Sequence, residues 1–336
     1  MRAPFFSMSL QQARQSVADL GFNPDRANQL RRQLLAGDAA FLPGRKGLDL
    51  TEQLQLNFVF DSISEKQCSP SADGSSKFLF ALADGQAIES VLLPGTQSLS
   101  ACLSTQVGCA MACRFCASGL DGMVRNLHSY ELLEQVIQMR RHADVRRLVF
   151  MGAGEPTQNL AALASAIEVL RTEAGIGPRR MLVSTVGPPR AVDRLADLGL
   201  KITLALSLHA LDPSLRAQLI PTQSKVQPLE LLDAADRFAA KTGRAYQVEY
   251  VLMGGVNDAL EQAAELADAL QGRRAHVSLI PWNAVPGMEF QSPVGSTSQS
   301  FLQVLRDAGV SVRLRNTVGG SSQAACGQLK RASFGG

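Results

Sequence analysis

The chain has no apolar run approaching the ~18 residues that a membrane helix needs. Its start, Met1-Arg-Ala-Pro-Phe-Phe-Ser7, has a basic residue but no long apolar stretch of a signal peptide. The expectation is a cytoplasmic protein with no membrane partner. There is no internal repeat and no low-complexity tract. There is no strong excess of either charge: the net charge is +3 and the pI near 8.6, which says little about nucleic acid on its own. Basic pairs such as Arg146-Arg147 and Arg179-Arg180 read as solvated faces. Six cysteines in 336 residues are too few and too clustered for a small disulfide scaffold. They read instead as thiols available for metal binding or catalysis.

Apolar residues at 46% and charged residues at 19% allow a sizeable core. The first ~55 residues carry helical periodicity, at Ser9–Leu20 and Asp25–Leu35. A hairpin follows, Lys77–Ala83 and Ala87–Leu93, joined at Asp84-Gly85. The Ser/Gly/Pro-rich stretch Cys68–Ser76 reads as a loop. Strand-like runs then alternate with helical ones. The strands are Leu99–Gln106, Arg147–Met151, Met181–Thr185, Ile202–Ser207, Tyr246–Leu252 and Val277–Ile280. A helix at Ser298–Ala308 and a strand at Val310–Arg315 close the series. Alternation of this kind means parallel β/α units. Six of them predict an α/β fold with a partial (β/α)6 barrel, a doubly wound open sheet being the alternative. The expected division is a helical accessory domain over 1–60, a β-hairpin extension over 61–98, the barrel over 99–320 and a C-terminal segment over 321–336. Motifs with Gly or polar residues fall at the strand ends: Gly154-Glu155-Pro156, Ser184, Ser207-Leu208-His209 and Asn283. Active sites of parallel α/β folds lie at the C-terminal ends of the strands.

Cys109, Cys113 and Cys116 form a Cys-x3-Cys-x2-Cys cluster. Structural zinc wants four ligands, usually as two pairs. No second pair exists, and the nearest histidine, His128, is twelve residues past Cys116. Three soft thiolates at this spacing suit three corners of a [4Fe-4S] cluster with the fourth iron open to a further ligand.

That cluster, set on six β/α units, resembles the radical S-adenosylmethionine (SAM) superfamily, in which SAM chelates the open iron. Further motifs are similar to the RlmN/Cfr family of RNA methyltransferases. They are Cys102-Leu-Ser-Thr-Gln106-Val-Gly108-Cys109, Ser207-Leu-His209, Glu249-Tyr-Val-Leu-Met-Gly-Gly-Val-Asn-Asp258, Leu279-Ile-Pro-Trp-Asn283 and Ala324-Ala-Cys326-Gly-Gln-Leu329. The resemblance implies methylation of an adenosine in RNA, in 23S rRNA at the peptidyl-transferase centre and in tRNA beside the anticodon. It implies two SAM per turnover, with Cys326 carrying the methyl group as S-methylcysteine. Cys102 would release the product by forming a transient disulfide with Cys326, and Glu89 would accept a proton. Gly154, Glu155, Ser184, Ser207, Leu208, His209 and Asn283 would bind SAM, with Glu155 accepting from its ammonium. An electron donor such as flavodoxin and a thiol reductant are implied partners, and a monomer is expected. Val107 and Pro156 look more like the C2-specific branch than the C8-specific one, which tends to carry Cys and Ala there. Trp282 reads as core, and Cys68 has no role. The run Val318-Gly-Gly-Ser-Ser-Gln323 departs from the family pattern before the methyl carrier. C8 methylation, a shifted RNA target, a glycyl-radical activase and a non-enzymatic iron–sulfur protein are the alternatives.

Overall fold

A computed structural model describes residues 2–38, 50–95, 98–315, 319 and 323–330. Near the N-terminus, β1 (Ala3–Pro4) precedes α1 (Leu10–Asp19), α2 (Asp25–Leu35) and α3 (Leu50–Asn57), and β2 (Phe58–Val59) pairs with β1. Ser9 closes a capping box with Gln12 at the start of α1. An antiparallel extension comes next, of β3 (Ser64–Pro70), β4 (Ser76–Ala81) and β5 (Ala87–Leu93). The Asp84-Gly85 turn is as expected, with Gly85 at φ +82. The loop expected over Cys68–Ser76 is corrected: Cys68, Ser69 and Pro70 belong to β3, Ser76 opens β4, and the turn is confined to 71–75. β3 is an edge strand with much of its length facing water, so it needs no apolar alternation to hold its ladder.

The barrel runs β6 (Leu99–Cys102), β7 (Gln106–Gly108), β8 (Met123–Asn126), α4 (Ser129–Arg140), β9 (Val145–Phe150), α5 (Leu160–Thr172), β10 (Met181–Thr185), α6 (Pro189–Asp197), β11 (Thr203–Ser207), α7 (Pro213–Leu219), α8 (Pro228–Thr242), β12 (Tyr246–Leu252), α9 (Leu260–Leu270), β13 (Ala275–Pro281), α10 (Thr297–Asp307) and β14 (Val312–Leu314). One ten-stranded sheet has the order β14-β13-β12-β11-β10-β9-β6-β5-β4-β3. β6 and β9 to β14 are parallel, and β3 to β5 continue the sheet antiparallel. Among the described residues β14 and β3 stay as free edges, so the barrel is partial. β12, nearly all buried, reads as the continuous apolar run of a strand covered on both faces. α8 ends at Gly243, whose φ of +73 makes the left-handed cap.

The single strand expected over Leu99–Gln106 is two. After Cys102 the chain turns at Leu103–Thr105, and Gln106–Gly108 leaves the main sheet to pair with β8. The cause is local: the Ser104 hydroxyl donates to the Glu89 carbonyl at 2.6 Å, and the Thr105 N–H donates to the Ala153 carbonyl at 2.8 Å. These bonds pull the backbone out of the ladder.

The N-terminal helices share the main core. Phe5, Leu30 and Leu34 belong to one cluster with Leu133, Val136 and Ile167. Arg31 on α2 is 1% exposed and forms a two-pronged ion pair with Glu173 just past α5. Replacing Arg31 by Met should destabilise the fold by about 3 kcal/mol, because the carboxylate is left half-buried and unpaired. Urea unfolding measures it; an unchanged midpoint would show that the pair does not tie these helices to the barrel.

Candidate active site

The cysteine loop is framed by β7 and β8. Gly108 has φ +76, and a Cβ there would lie 2.0 Å from the Gly122 carbonyl oxygen, so only glycine allows the two strands to close beneath the loop. The Cys109 N–H donates to the same carbonyl at 3.1 Å. Cys109, Cys113 and Cys116 all line one cavity of about 790 Å³ that runs through the partial barrel, from Arg179, Arg180 and Thr203 at the N-terminal ends of the parallel strands to Ser184, Ser207 and Asn283 at their C-terminal ends. Burial pushes all three thiols up, Cys109 to about 12, and the neighbouring thiols and Glu155 push Cys109 and Cys113 further. Such a set ionises only against a strong cation, which is what iron supplies. Among the described residues no three His, Cys, Asp or Glu side chains close to the spacing of a single metal ion. An apolar casing surrounds the loop, built from Met111, Phe115, Val186, Ile220, Val251 and Trp282. Trp282 is core, as expected, and its indole N–H donates to the Phe115 carbonyl at 2.9 Å.

Gly154 follows β9 at φ +106, and a Cβ would meet the Gln106 side chain at 2.7 Å. Gln106 in turn accepts from the Glu155 N–H at 2.9 Å. The Glu155 carboxylate lines the cavity but is already engaged: Oε1 accepts from the Thr157 N–H and hydroxyl, and Oε2 from the Val186 N–H at 3.1 Å. It thus fixes the β9 and β10 loops against each other. Ser184 and Ser207 face each other at the ends of β10 and β11, 3.1 Å apart. Leu208 does not line the cavity, and its side chain lies in the main core.

His209 sits at φ +66, and its Nδ1 accepts from the Val251 N–H at 3.1 Å. That bond fixes the tautomer, leaving Nε2–H as the donor. Burial, then the nearby Arg216 charge, lowers its pKa to about 3. Asn257 holds the bend with three hydrogen bonds, one of them to the His209 carbonyl at 2.8 Å.

Arg216 was not singled out from the sequence. It is buried, donates to the carbonyls of Val186 and Leu208, and has no partner for Nη1. It ties the ends of β10 and β11 together, and its charge favours the Cys113 thiolate.

Cys326 and Cys102 line the same cavity, whereas Cys68 does not. The segment that carries Cys326 is pinned along its length. Asn283 donates to the Cys326 carbonyl at 3.1 Å, the Ala117 N–H to the Gly327 carbonyl at 2.7 Å and the Ser118 hydroxyl to the Leu329 carbonyl at 2.7 Å. Gln328 donates to the Ala284 carbonyl, and the Gly319 N–H to the Asp73 carboxylate in the β3–β4 turn. Cys102 packs against Ala324 and Leu329. Residues 318 and 320–322 of the atypical loop lie outside the described residues. Cys326 opens to the cavity, yet protein crowding there pushes its thiol up, as burial does for Cys102; Arg315 opposes both shifts. Glu89 is on β5 but does not line the cavity. Its carboxylate is held by Lys77 at 3.0 Å and by the Lys330 N–H at 2.8 Å. The cavity wall also carries Arg147, Arg179, Arg180, Arg313 and Arg315, so two of the basic pairs are not only solvated faces.

The radical SAM superfamily model matches residues 103–267. A "probable dual-specificity RNA methyltransferase RlmN" of Rhodopirellula baltica is 44% identical over 331 residues, covering 96% of this chain and 89% of the relative. The similarly named protein of Gloeobacter violaceus is 39% identical, over 100% of this chain and 97% of its own. The chain belongs to the RlmN family. The crystal structure of a radical SAM methyltransferase from Sphaerobacter thermophilus superposes with a TM-score of 0.90 at 35% identity, covering 98% and 99% of the two chains. Family membership carries the [4Fe-4S] cluster and SAM with it. The residues at hand fit both: three open thiols for the cluster, and the Ser184, Ser207, His209 and Asn283 side chains around the space beside it.

Cys109→Ala, Cys113→Ala and Cys116→Ala should each abolish the visible iron–sulfur absorption after anaerobic reconstitution, whereas Cys68→Ala should keep it. Loss of absorption in the Cys68 variant would break the assignment. A second outcome concerns acid. A histidine whose folded pKa lies below its unfolded value stabilises the fold above pH ~6.5, and that contribution falls by about 1.4 kcal/mol per pH unit between pH 6.5 and 3. His209→Asn should therefore flatten the acid limb of the stability curve relative to the parent, measured by denaturation at stepped pH.

Proposed function

We propose that the chain is a radical SAM methyltransferase acting on C2 of an adenosine in RNA, with 23S rRNA as the main target and tRNA as a second. The observation that carries this reading is that Cys102, Cys109, Cys113, Cys116 and Cys326 line one cavity, and Cys68 does not. An activase or an electron carrier would have no need of Cys102 and Cys326 there.

With the cluster bound, SAM chemistry supplies a hydrogen-abstracting radical that ordinary side chains cannot provide. The chain's own residues do the rest. Cys326 first takes a methyl group from one SAM by displacement, and this S-methyl then becomes the carbon delivered to the base. A radical route is needed because adenine C2 is electron-poor and does not attack a sulfonium methyl. Cys102, packed against the same C-terminal segment, attacks the Cys326 sulfur, freeing the methylated base from its covalent link and leaving a disulfide. A thiol reductant returns the pair, and a one-electron donor such as flavodoxin serves the cluster. Glu89 is two residues from Val91, which lines the cavity, and in this scheme it accepts the proton lost from the adduct. The apolar casing keeps water from reactive species. Arg313 and Arg315, toward the C-terminal ends of the strands, suit the phosphates flanking a base flipped into the cavity.

Anaerobic turnover with SAM, reductant and rRNA fragments, followed by nucleoside mass spectrometry, should yield 2-methyladenosine. Cys326→Ala should give none, and Cys102→Ala should accumulate a covalent protein–RNA species. 8-Methyladenosine as the product would overturn the C2 assignment, and full activity of Cys326→Ala would overturn the carrier.

A further inference from the structure

Two carboxylates line the cavity among the described residues, Glu155 and Glu249. Glu155 has both oxygens occupied, by Thr157 and Val186. Glu249 does not. It lies on β12 between Ser207 of β11 and Ser278 of β13, and is 1% exposed. Its Oε1 accepts from Arg315 Nη2 at 3.1 Å, but among the described residues its Oε2 has no hydrogen-bond partner, and neither has Arg315 Nε. The Ser278 hydroxyl lies beside the carboxyl and favours its ionised form. A buried carboxylate oxygen left without a donor costs about 1–3 kcal/mol or more, so its retention calls for an explanation. Its surroundings suggest one. The Arg315 charge reaches both Cys102 and Cys326 and favours their thiolates, and the Glu249 charge reaches Cys326.

We propose that Glu249 takes the Cys326 thiol proton as Cys326 accepts a methyl group from SAM, while Arg315 steadies the thiolate. The inference rests on the carrier role of Cys326. In this step the S–H bond breaks and the proton passes to Glu249 Oε2. The Cys326 sulfur forms the S–CH3 bond, and the sulfonium–methyl bond breaks with its electron pair staying on the departing sulfur of S-adenosylhomocysteine. Nothing is left over to oxidise or reduce. The charges balance as well. A sulfonium cation and a carboxylate enter, and two thioethers and a carboxylic acid remain. Without the carboxylate, a proton would be stranded beside Arg315 in a poorly hydrated site, where an unpaired charge is costly. Burial pushes the Glu249 carboxyl up, with Arg315, the Ser278 hydroxyl and Arg313 opposing, which makes it a better proton acceptor than an exposed carboxylate.

The test uses the cluster-loaded enzyme with SAM alone, without reductant or RNA, and reads methylation of the Cys326 peptide by mass spectrometry. Glu249→Gln should slow it on the order of 10²-fold, the usual contribution of a positioned base, and Glu249→Asp should recover part of the rate. Alkylation of Cys326 by iodoacetamide in the absence of SAM should be no slower in Glu249→Gln than in the parent. There the thiol exchanges with bulk water, and removing a neighbouring negative charge eases its ionisation. A purely electrostatic role predicts the opposite sign, faster methylation in Glu249→Gln, and methylation at the parent rate or above overturns the proposal. Equal slowing of both reactions marks a structural role and overturns it too. A parent enzyme that places no methyl on Cys326 instead removes the carrier reading itself, whatever Glu249 does.

Discussion

The chemistry of this chain hangs on a short backbone seam. The Ala117 N–H donates to the Gly327 carbonyl, and Ser118 and Asn283 add bonds on either side of it. This seam joins the end of the cysteine loop to a segment more than 200 residues further along. It sets Cys326 on the same cavity as the three ligands of the cluster. Loop closure over that length costs entropy only slowly with chain length, so a few well-placed hydrogen bonds suffice to hold it. Cys326 is the methyl carrier of the proposed function, and the seam explains why that thiol reaches the cavity. Asp73 adds a tether through Gly319, which gives the antiparallel extension a part in positioning the C-terminal segment.

Much of the fold was legible. Met181–Thr185, Tyr246–Leu252, Ala87–Leu93 and Asp25–Leu35 coincide with the observed elements residue for residue. Each is a strongly periodic or continuously apolar run with Gly, Pro or polar residues at its ends, and burial there agrees with local propensity. The failures occur where tertiary bonds override local pattern. Ser104 and Thr105 bend the chain out of the first parallel strand because their bonds go to Glu89 and to the β9 loop. β3 resembles a loop in sequence because an edge strand facing water has no reason to look apolar.

The site divides along the same line. Cys109, Cys113 and Cys116 were visible from their spacing, whereas Cys102 and Cys326 stood out only through the family resemblance, since a lone cysteine is most often a small buried hydrophobe. His209 was visible as a residue but not as a tautomer, since that depends on the Val251 N–H from another strand. Glu155 shows the limit of motif reading. The motif places it beside SAM, yet its carboxylate spends both oxygens on Thr157 and Val186, so its effect on the site runs through backbone geometry. Arg216, Ser118, Gln328 and Asp73 gave no signal, because each acts on a carbonyl or N–H that is remote in sequence. Glu249 stood inside a recognised motif with no task attached, and only its orphaned oxygen marks it out.

The cavity therefore has two dielectric regimes, and their separation orders the reaction. Around the cysteine loop the wall is apolar, from Met111 through Phe115 to Trp282. That environment holds the cluster thiols away from water and leaves reactive species few partners to attack. Toward Cys102 and Cys326 the wall carries Glu249, Arg313 and Arg315. Polar bond changes, thiol ionisation and displacement at sulfur need such charges, whereas hydrogen abstraction does not. Arg315 stands within electrostatic reach of both thiols. In the proposed cycle one fixed cation favours the Cys326 thiolate at the start, and then the Cys102 thiolate once Cys326 is a thioether and no longer competes for the charge. The order of the two polar steps in that scheme follows from which sulfur still has a proton to lose.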